Sequence, residues 1–400
     1  MLFRKEYVEK LLRYKDMDVI KVITGIRRSG KSTIMKQLQD YYSSLGIASD
    51  HMLYYNFESY ECIDLLDDKS LYIRIKKEIS NIKGKCYLFF DEIQNVENWQ
   101  KCVNAFQVDF PCDIYITGSN AKLLSGELTT YIAGRFIEVK VYPFSFKEFL
   151  SAKKEQGINK EAKALFQEYL QYGGMPFVCY LKDPVIFKDY MSGVFSTFVL
   201  SDMIARNNIR NPFIMERVLY YAIDNIGYVI SASSIANYLK NERIKVSVDT
   251  VISYLKMATD ALLIERIPRG DAAEKSLMKT QEKYYISDHG FKQYIFNSNL
   301  RDIELVLENI VCIEMVRRGY EVFVGEVMKK EVDFVCKKGE EHLYIQVTYL
   351  MPDSSTRDRE FASLLLIKDN YPKLVVSMDE IDFSQQGIRH MNIIDFLLQE

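Results

Sequence analysis

The chain is poor in the residues that staple small secreted folds or hold structural metals. Among 400 residues there are seven cysteines and four histidines. The cysteines are scattered, with no Cys-x-x-Cys pair and no histidine close by, so a disulfide framework and a structural zinc site are both excluded. No apolar run approaches the roughly 20 residues that span a bilayer. No charged-then-apolar leader opens the sequence either; MLFRKEYVEKLLRYKD reads as an amphipathic helix. There is no internal repeat and no low-complexity stretch. A reducing compartment, the cytoplasm, is expected, with no membrane partner. Charge of one sign is also scarce: 52 Lys and Arg stand against 55 Asp and Glu, a net charge of −3. A uniformly basic nucleic-acid coat protein is excluded, although a local basic face is not.

What is present is enough apolar material for more than one core. Hydrophobic residues make up 48% of the chain, and 400 residues exceed one ordinary domain, so at least two domains are expected. Up to about residue 150, strand-like runs alternate with helical stretches, the pattern of a parallel sheet covered by helices. The strand candidates are VIKVIT (19–24), MLYYNF (52–57), CYLFF (86–90), DIYIT (113–117) and FIEVKV (136–141). The helix after the first strand is expected to bury Ile34, Leu38, Tyr41 and Leu45. Residues 151–205 read as a helical lid or connector, interrupted by Gly-Gly-Met-Pro at 173–176.

GIRRSGKST, residues 25–33, satisfies G-x-x-x-x-G-K-[ST] between a strand and an amphipathic helix. Gly25 and Gly30 let the backbone curl so that its N–H groups face phosphate oxygens, and the helix start adds its positive dipole end. Ile26, Arg27, Arg28, Ser29 and Thr33 complete the cradle. Lys31 is expected at the β- and γ-phosphates, and Ser32 on Mg²⁺. Arg27 and Arg28 either strengthen the pull on phosphate or point outward to a partner. In CYLFFDEIQ, a buried strand ends in Asp91 and Glu92. Asp91 is the expected Mg²⁺ residue and Glu92 the general base for water. DIYITGSN resembles the sensor strand of AAA+ ATPases, which implies that a polar residue there, Asn120 in preference to Ser119, positions the attacking water; simple turn residues are the alternative. Arg135 is either an arginine finger or nucleotide sensor, in cis or across a subunit interface, or a surface arginine. No N-K-x-D guanine motif is present, so ATP is the expected nucleotide.

GIRRSGKST, FFDEIQ, ITGSNAKLLSGELTTYIAGRF and YPFSFKEFL together resemble a prokaryotic AAA+-like (ASCE-type) P-loop ATPase family. YYISDHGF extends the likeness, which covers nearly the whole chain. The resemblance implies an α/β fold with a P-loop domain (1–150), the helical segment, a winged-helix domain (206–295) and a restriction-endonuclease-like domain (296–400). Within the winged-helix region Lys and Arg outnumber Asp and Glu, 12 to 9, over residues 206–283. The expected recognition helix, Val248–Ala258, offers Thr250, Ser253, Tyr254 and Lys256 opposite Val251 and Leu255. Arg266, Arg269, Lys275 and Lys279 lie at the wing, and DNA is a candidate partner. In the tail, Glu308, Asp333 and Gln346 fall at the metal-site positions of PD-(D/E)XK nucleases. Gln346 replaces a carboxylate and Thr348 replaces the lysine, which favours a nuclease-like fold without cleavage. The expected function is an ATPase coupling hydrolysis to movement of the winged helix and tail, acting on DNA. The alternatives are a nucleotide-dependent switch that binds protein partners or itself, and an ATP-gated nuclease.

Overall fold

The computed structural model describes residues 2–118, 134–181, 183–198, 203–204, 209, 211–271 and 277–399, with the backbone alone at 184, 271 and 277–281. The chain divides into two compact units, Met1–Tyr142 with Asp260–Leu262, and Pro143–Thr259 with Leu263–Glu400. Among the described residues no helix is long and apolar enough to cross a membrane. The seven cysteines are free thiols.

The first unit is built on five strands: β1 (Ile20–Thr24), β2 (Met52–Asn56), β3 (Cys86–Asp91), β4 (Cys112–Gly118) and β5 (Phe136–Lys140). All pair in parallel, in the order β2-β3-β4-β1-β5. The period-two alternation of a strand sends neighbouring side chains to opposite faces. Phe89 packs with the helices Lys5–Leu12 and Lys31–Ser44, whereas Leu88 and Phe90 pack with Asp68–Ile79 and Trp99–Asp109. Every residue of β3 is buried, as expected for a strand covered on both faces. The stripe of the Lys31–Ser44 helix differs from the expected one. Ile34 and Leu38 are buried with Met35 and Tyr42, whereas Tyr41 and Leu45 are exposed. The stripe is turned by one residue because Tyr42 reaches beneath the sheet, where its hydroxyl meets that of Tyr115 at 2.6 Å.

The second unit begins with the helices Phe146–Glu155, Ala162–Tyr172, Pro176–Cys179 and Pro184–Thr197. Next come a helix, Pro212–Asp224, a short strand β6 (Val229–Ile230), two helices, Ala232–Asn241 and Val248–Asp260, and a hairpin of β7 (Ile264–Asp271) and β8 (Leu277–Ile286). The helix Ile303–Arg317 follows, buried all round from Val306 to Met315. The remaining strands are β9 (Glu321–Val327), β10 (Lys330–Lys338), β11 (Glu341–Val347), β12 (Lys373–Ser377) and β13 (Arg389–Asn392). These do not form a separate sheet. β7 pairs in parallel with β9, and β6 antiparallel with β8, giving one eight-stranded sheet, β13-β12-β11-β10-β9-β7-β8-β6. Residue 295, expected as a domain boundary, is therefore bridged by backbone hydrogen bonds.

Candidate functional site

The phosphate loop follows β1, whose last residue, Thr24, lies beside Gly118 of β4. Two of its residues must be glycine. A Cβ at Gly25 would stand 2.3 Å from the Val141 carbonyl oxygen, and Gly30 has φ +100°, a left-handed conformation costly for other residues. Gly30 caps the helix Lys31–Ser44, whose first turn carries no acidic residue and no side-chain cap. The helix start thus keeps its positive end and its orphan N–H groups directed at the loop. Ser29 Oγ is out of solvent with no hydrogen-bond partner among the described residues. An orphaned hydroxyl beside an uncapped helix start fits an anion.

Lys31, 4% exposed, donates to the carbonyls of Gly25 at 3.0 Å and Ile26 at 3.3 Å, and its ammonium lies 3.8 Å from Glu92 Oε1. Ser32 and Thr33 are half-buried in the helix's first turn. Arg27 turns outward to an ion pair with Glu58, just past β2. Arg28 takes a left-handed φ of +65°.

β4 lies between β1 and β3, so its end can reach the acidic pair. Asp91, 1% exposed, accepts from the Thr117 hydroxyl through Oδ1 and from the Tyr54 hydroxyl through Oδ2, the latter at 2.9 Å. Thr117 Oγ1 in turn accepts the backbone N–H of Glu92 at 2.9 Å. One hydroxyl therefore locks both acidic residues, at a point where Glu92 takes φ +54°. Gln94 Nε2 donates to Glu92 Oε2. Burial and the Asp91 charge push the Tyr54 hydroxyl above its ordinary pKa, keeping it a donor.

The structure thus brings Gly25 to Thr33, Asp91 and Glu92 together. Asn120 and Ser119 lie outside the described residues. Arg135 is not brought to the loop: it is exposed, and its carbonyl accepts the N–H of Ile20 at 2.8 Å, at the start of β1. The length of β1, roughly 13 Å at 3.3 Å per residue, separates it from the phosphate side, so a role in cis is ruled out by distance. Thr117, Tyr54 and Gln94 were missed by sequence reading. Thr117 was within the quoted TGSN segment, but the strand runs further toward the site than expected.

A second polar cluster lies in the other unit, around a cavity of about 520 Å³. Glu308, Asp333 and Gln346 meet there as the sequence order suggested. Asp333 accepts the Val347 N–H at 2.7 Å and Gln346 accepts the Asp333 N–H at 3.4 Å. Thr348, at the end of β11, donates to Glu304 at 3.5 Å. The residue that sequence reading missed is Lys283, from β8, which lies 2.9 Å from Glu308 and 2.7 Å from Glu331. Burial, followed by the Glu308 charge, holds the Asp333 carboxyl well above its usual range. Among the described residues, no group of three or more His, Cys, Asp or Glu side chains could hold a metal ion.

The face expected to read DNA is altered as well. Tyr254 is buried rather than exposed, because it packs inward on the same side as Val251 and Leu255. Val248 and Ile252 are exposed instead. Arg266 pairs with Glu282, and Arg269 with Glu326 and Glu331. Lys275 lies outside the described residues, as does the side chain of Lys279.

Residues 18–150 match the family described as an AAA domain, and residues 163–302 a domain of unknown function, DUF8612. A Haemophilus influenzae protein described as uncharacterized is 41% identical over 100% of this chain and 99% of its own length. The chain belongs to its family. The uncharacterized protein MJ1544 of Methanocaldococcus jannaschii is 30% identical over 94% of this chain and 85% of its own. Among solved structures, the Walker-type ATPase PABY2304 of Pyrococcus abyssi superposes with a TM-score of 0.52 at 17% identity. That alignment covers 74% of this chain and 95% of that one, a likeness of fold. The AAA-type P-loop architecture expected of the N-terminal part is thereby supported by both family and fold.

Proposed function

We propose that this AAA-family chain is a Mg²⁺-dependent ATPase. The observation that carries the reading is the convergence on one phosphate loop of Lys31, an acid-free helix start, and the Asp91–Glu92 pair locked by Thr117. The loop N–H groups, Ser29 and Lys31 bind the phosphates. Ser32 and Asp91 are the oxygen donors that would hold Mg²⁺, Asp91 through water; the ion supplies charge neutralisation at the phosphate oxygens. Glu92 accepts the proton of the attacking water. Lys31 exchanges the carbonyls of Gly25 and Ile26 for the phosphate oxygens when nucleotide binds. Full-length protein with Glu92→Gln is expected to lose roughly 10²- to 10⁴-fold in ATP turnover while still binding ATP, and Lys31→Ala to lose binding as well. Wild-type turnover no faster than that of Glu92→Gln, with or without DNA, would remove the hydrolytic assignment.

The helix–strand–helix–helix–hairpin order over 212–286 supports a winged-helix reading, and the strands beyond it a nuclease-like fold. We infer that hydrolysis moves these two as one body, since they share a sheet. DNA remains a partner to test, but a protein partner is favoured by the exposed Val248 and Ile252 and by the paired wing arginines. Binding of duplex DNA by the full chain, weakening steeply with salt, would overturn that preference. Gln346, an amide beside Asp333 where a carboxylate would serve as metal ligand, supports a non-cleaving cavity. Oligonucleotides incubated with the protein and Mg²⁺ are expected to stay intact. Cleavage abolished by Asp333→Ala would refute this.

A further inference from the structure

The Lys31–Glu92 contact does not account for Gln94, which stands two residues beyond Glu92 in the short turn Ile93–Asn95. Its Nε2 donates to Glu92 Oε2. A carboxylate oxygen accepts, so the NH₂ end of the carboxamide is the end that faces Glu92. The other end of the same carboxamide is the carbonyl oxygen, Oε1. It is out of solvent and has no hydrogen-bond partner among the described residues. A buried amide acceptor left unmatched is destabilising, and native structures rarely keep one without a use.

Its neighbours indicate that use. Glu92 Oε1 lies 3.8 Å from Lys31 Nζ, so Lys31, Glu92 and Gln94 form a row leading away from the phosphate loop. A water poised to attack carries two hydrogens and needs two acceptors to hold its lone pair toward phosphorus. Glu92 can accept one hydrogen. The orphaned amide carbonyl is the neutral acceptor beside it.

We infer that Gln94 is a positioning residue for the attacking water, an inference that rests on the ATPase reading. In the step it serves, the water oxygen bonds to the γ-phosphorus as the bond to the β,γ-bridging oxygen breaks. ADP takes that oxygen and its electron pair. Glu92 takes one water proton; the other hydrogen, held on Gln94 Oε1, stays with the new phosphate. An amide carbonyl is too weak a base to take a proton, so Gln94 orients and Glu92 reacts.

The test compares full-length wild type, Gln94→Met, Gln94→Asn and Glu92→Gln in steady-state ATP turnover, with binding of a fluorescent ATP analogue measured in parallel. Gln94→Met matches the length and removes both polar atoms; it is expected to lower kcat roughly 10- to 100-fold. Analogue affinity and KM should stay within about two-fold of wild type, which a merely structural role would not preserve. Gln94→Asn keeps both the donor and the acceptor of the carboxamide, one methylene shorter, and should turn over several-fold faster than Gln94→Met. The inference is overturned if Gln94→Met keeps wild-type kcat, if it loses analogue binding in step with kcat, or if Gln94→Asn is no better. Failure of the ATPase reading looks different: wild type itself then turns over no faster than Glu92→Gln.

Discussion

Arg4 supports the phosphate loop from a distance of more than twenty residues. It is 2% exposed, and its guanidinium donates to the Ser29 carbonyl at 2.8 Å and the Tyr142 carbonyl at 2.9 Å while lying over the Tyr7 ring. The planar fork reaches two carbonyls at once, which a lysine cannot reproduce. Arg4→Ala would strand both acceptors in the interior, and at about 1–3 kcal/mol for each unmatched group should cost roughly 2–5 kcal/mol in urea unfolding. Arg4→Lys should recover only part of that. Unchanged stability in Arg4→Ala would show that the carbonyls find other donors. Nothing in the N-terminal sequence marks Arg4 out from Arg13, since both sit in one amphipathic segment and only tertiary contact distinguishes them. The phosphate loop is the opposite case. Its glycines answer to a close backbone approach and a left-handed turn, and under the proposed function its lysine answers to a phosphate that varies little, so their spacing is legible without a structure. Thr117 falls between: its type was visible, its role depends on β4 separating β1 from β3.

At the level of elements, the turn Gly173–Pro176 and the segment Ser287–Gly290 hold each other. Asp288, 3% exposed, accepts the N–H groups of Gly174 and Gly290, both at 2.8 Å. A Cβ at Gly173, where φ is +82°, would stand 2.1 Å from Asp288 Oδ1. His289 Nε2 lies 2.6 Å from the Tyr169 carbonyl. Burial pushes the Asp288 carboxyl up to about 7 from 3.8, and the His289 imidazole down to about 4 from 6.5. The two oppose one another in their effect on stability. A raised carboxyl stabilises below its unfolded pKa and loses that contribution as pH rises through about 7. A depressed imidazole stabilises above 6.5 and loses its contribution as pH falls through about 4. Asp288→Asn removes the first alone. Its stability relative to wild type should therefore rise between pH 4 and 7, by as much as roughly 4 kcal/mol at 1.36 kcal/mol per pKa unit. Urea unfolding at stepped pH measures this, and parallel curves for the two proteins would contradict it. The Gly-Gly-Met-Pro break could be read in the sequence because both its glycines and proline act on local backbone. Its partner, 114 residues away, could not.

For the whole second unit, the consequential feature is the parallel pairing of β7 with β9. Arg269 lies opposite Val324, Gly270 opposite Gly325 and Asp271 opposite Glu326. Charges cross the same seam: Arg269 to Glu326 and Glu331, and Lys283 to Glu308 and Glu331. Local pattern suggested two modules because a hairpin after two helices is a complete local motif, and its pairing with a strand beyond two further helices, Gly290–Phe296 and Ile303–Arg317, leaves no local trace. A fragment of residues 206–295 would open the β7 edge to water and leave Lys283, 4% exposed in the full chain, without either carboxylate. Buried ion pairs broken at one partner cost about 3–5 kcal/mol, a large share of the 5–15 kcal/mol that holds a domain together. The fragment is expected to show no cooperative urea transition by circular dichroism, whereas the whole chain does. A sharp transition in the fragment, with protease resistance to match, would restore the two-module division and with it independent movement of the 206–295 segment. Without one, any motion that ATP hydrolysis drives must carry hairpin and C-terminal strands together, because eight strands of one sheet cannot slide apart without breaking the hydrogen bonds between β7 and β9.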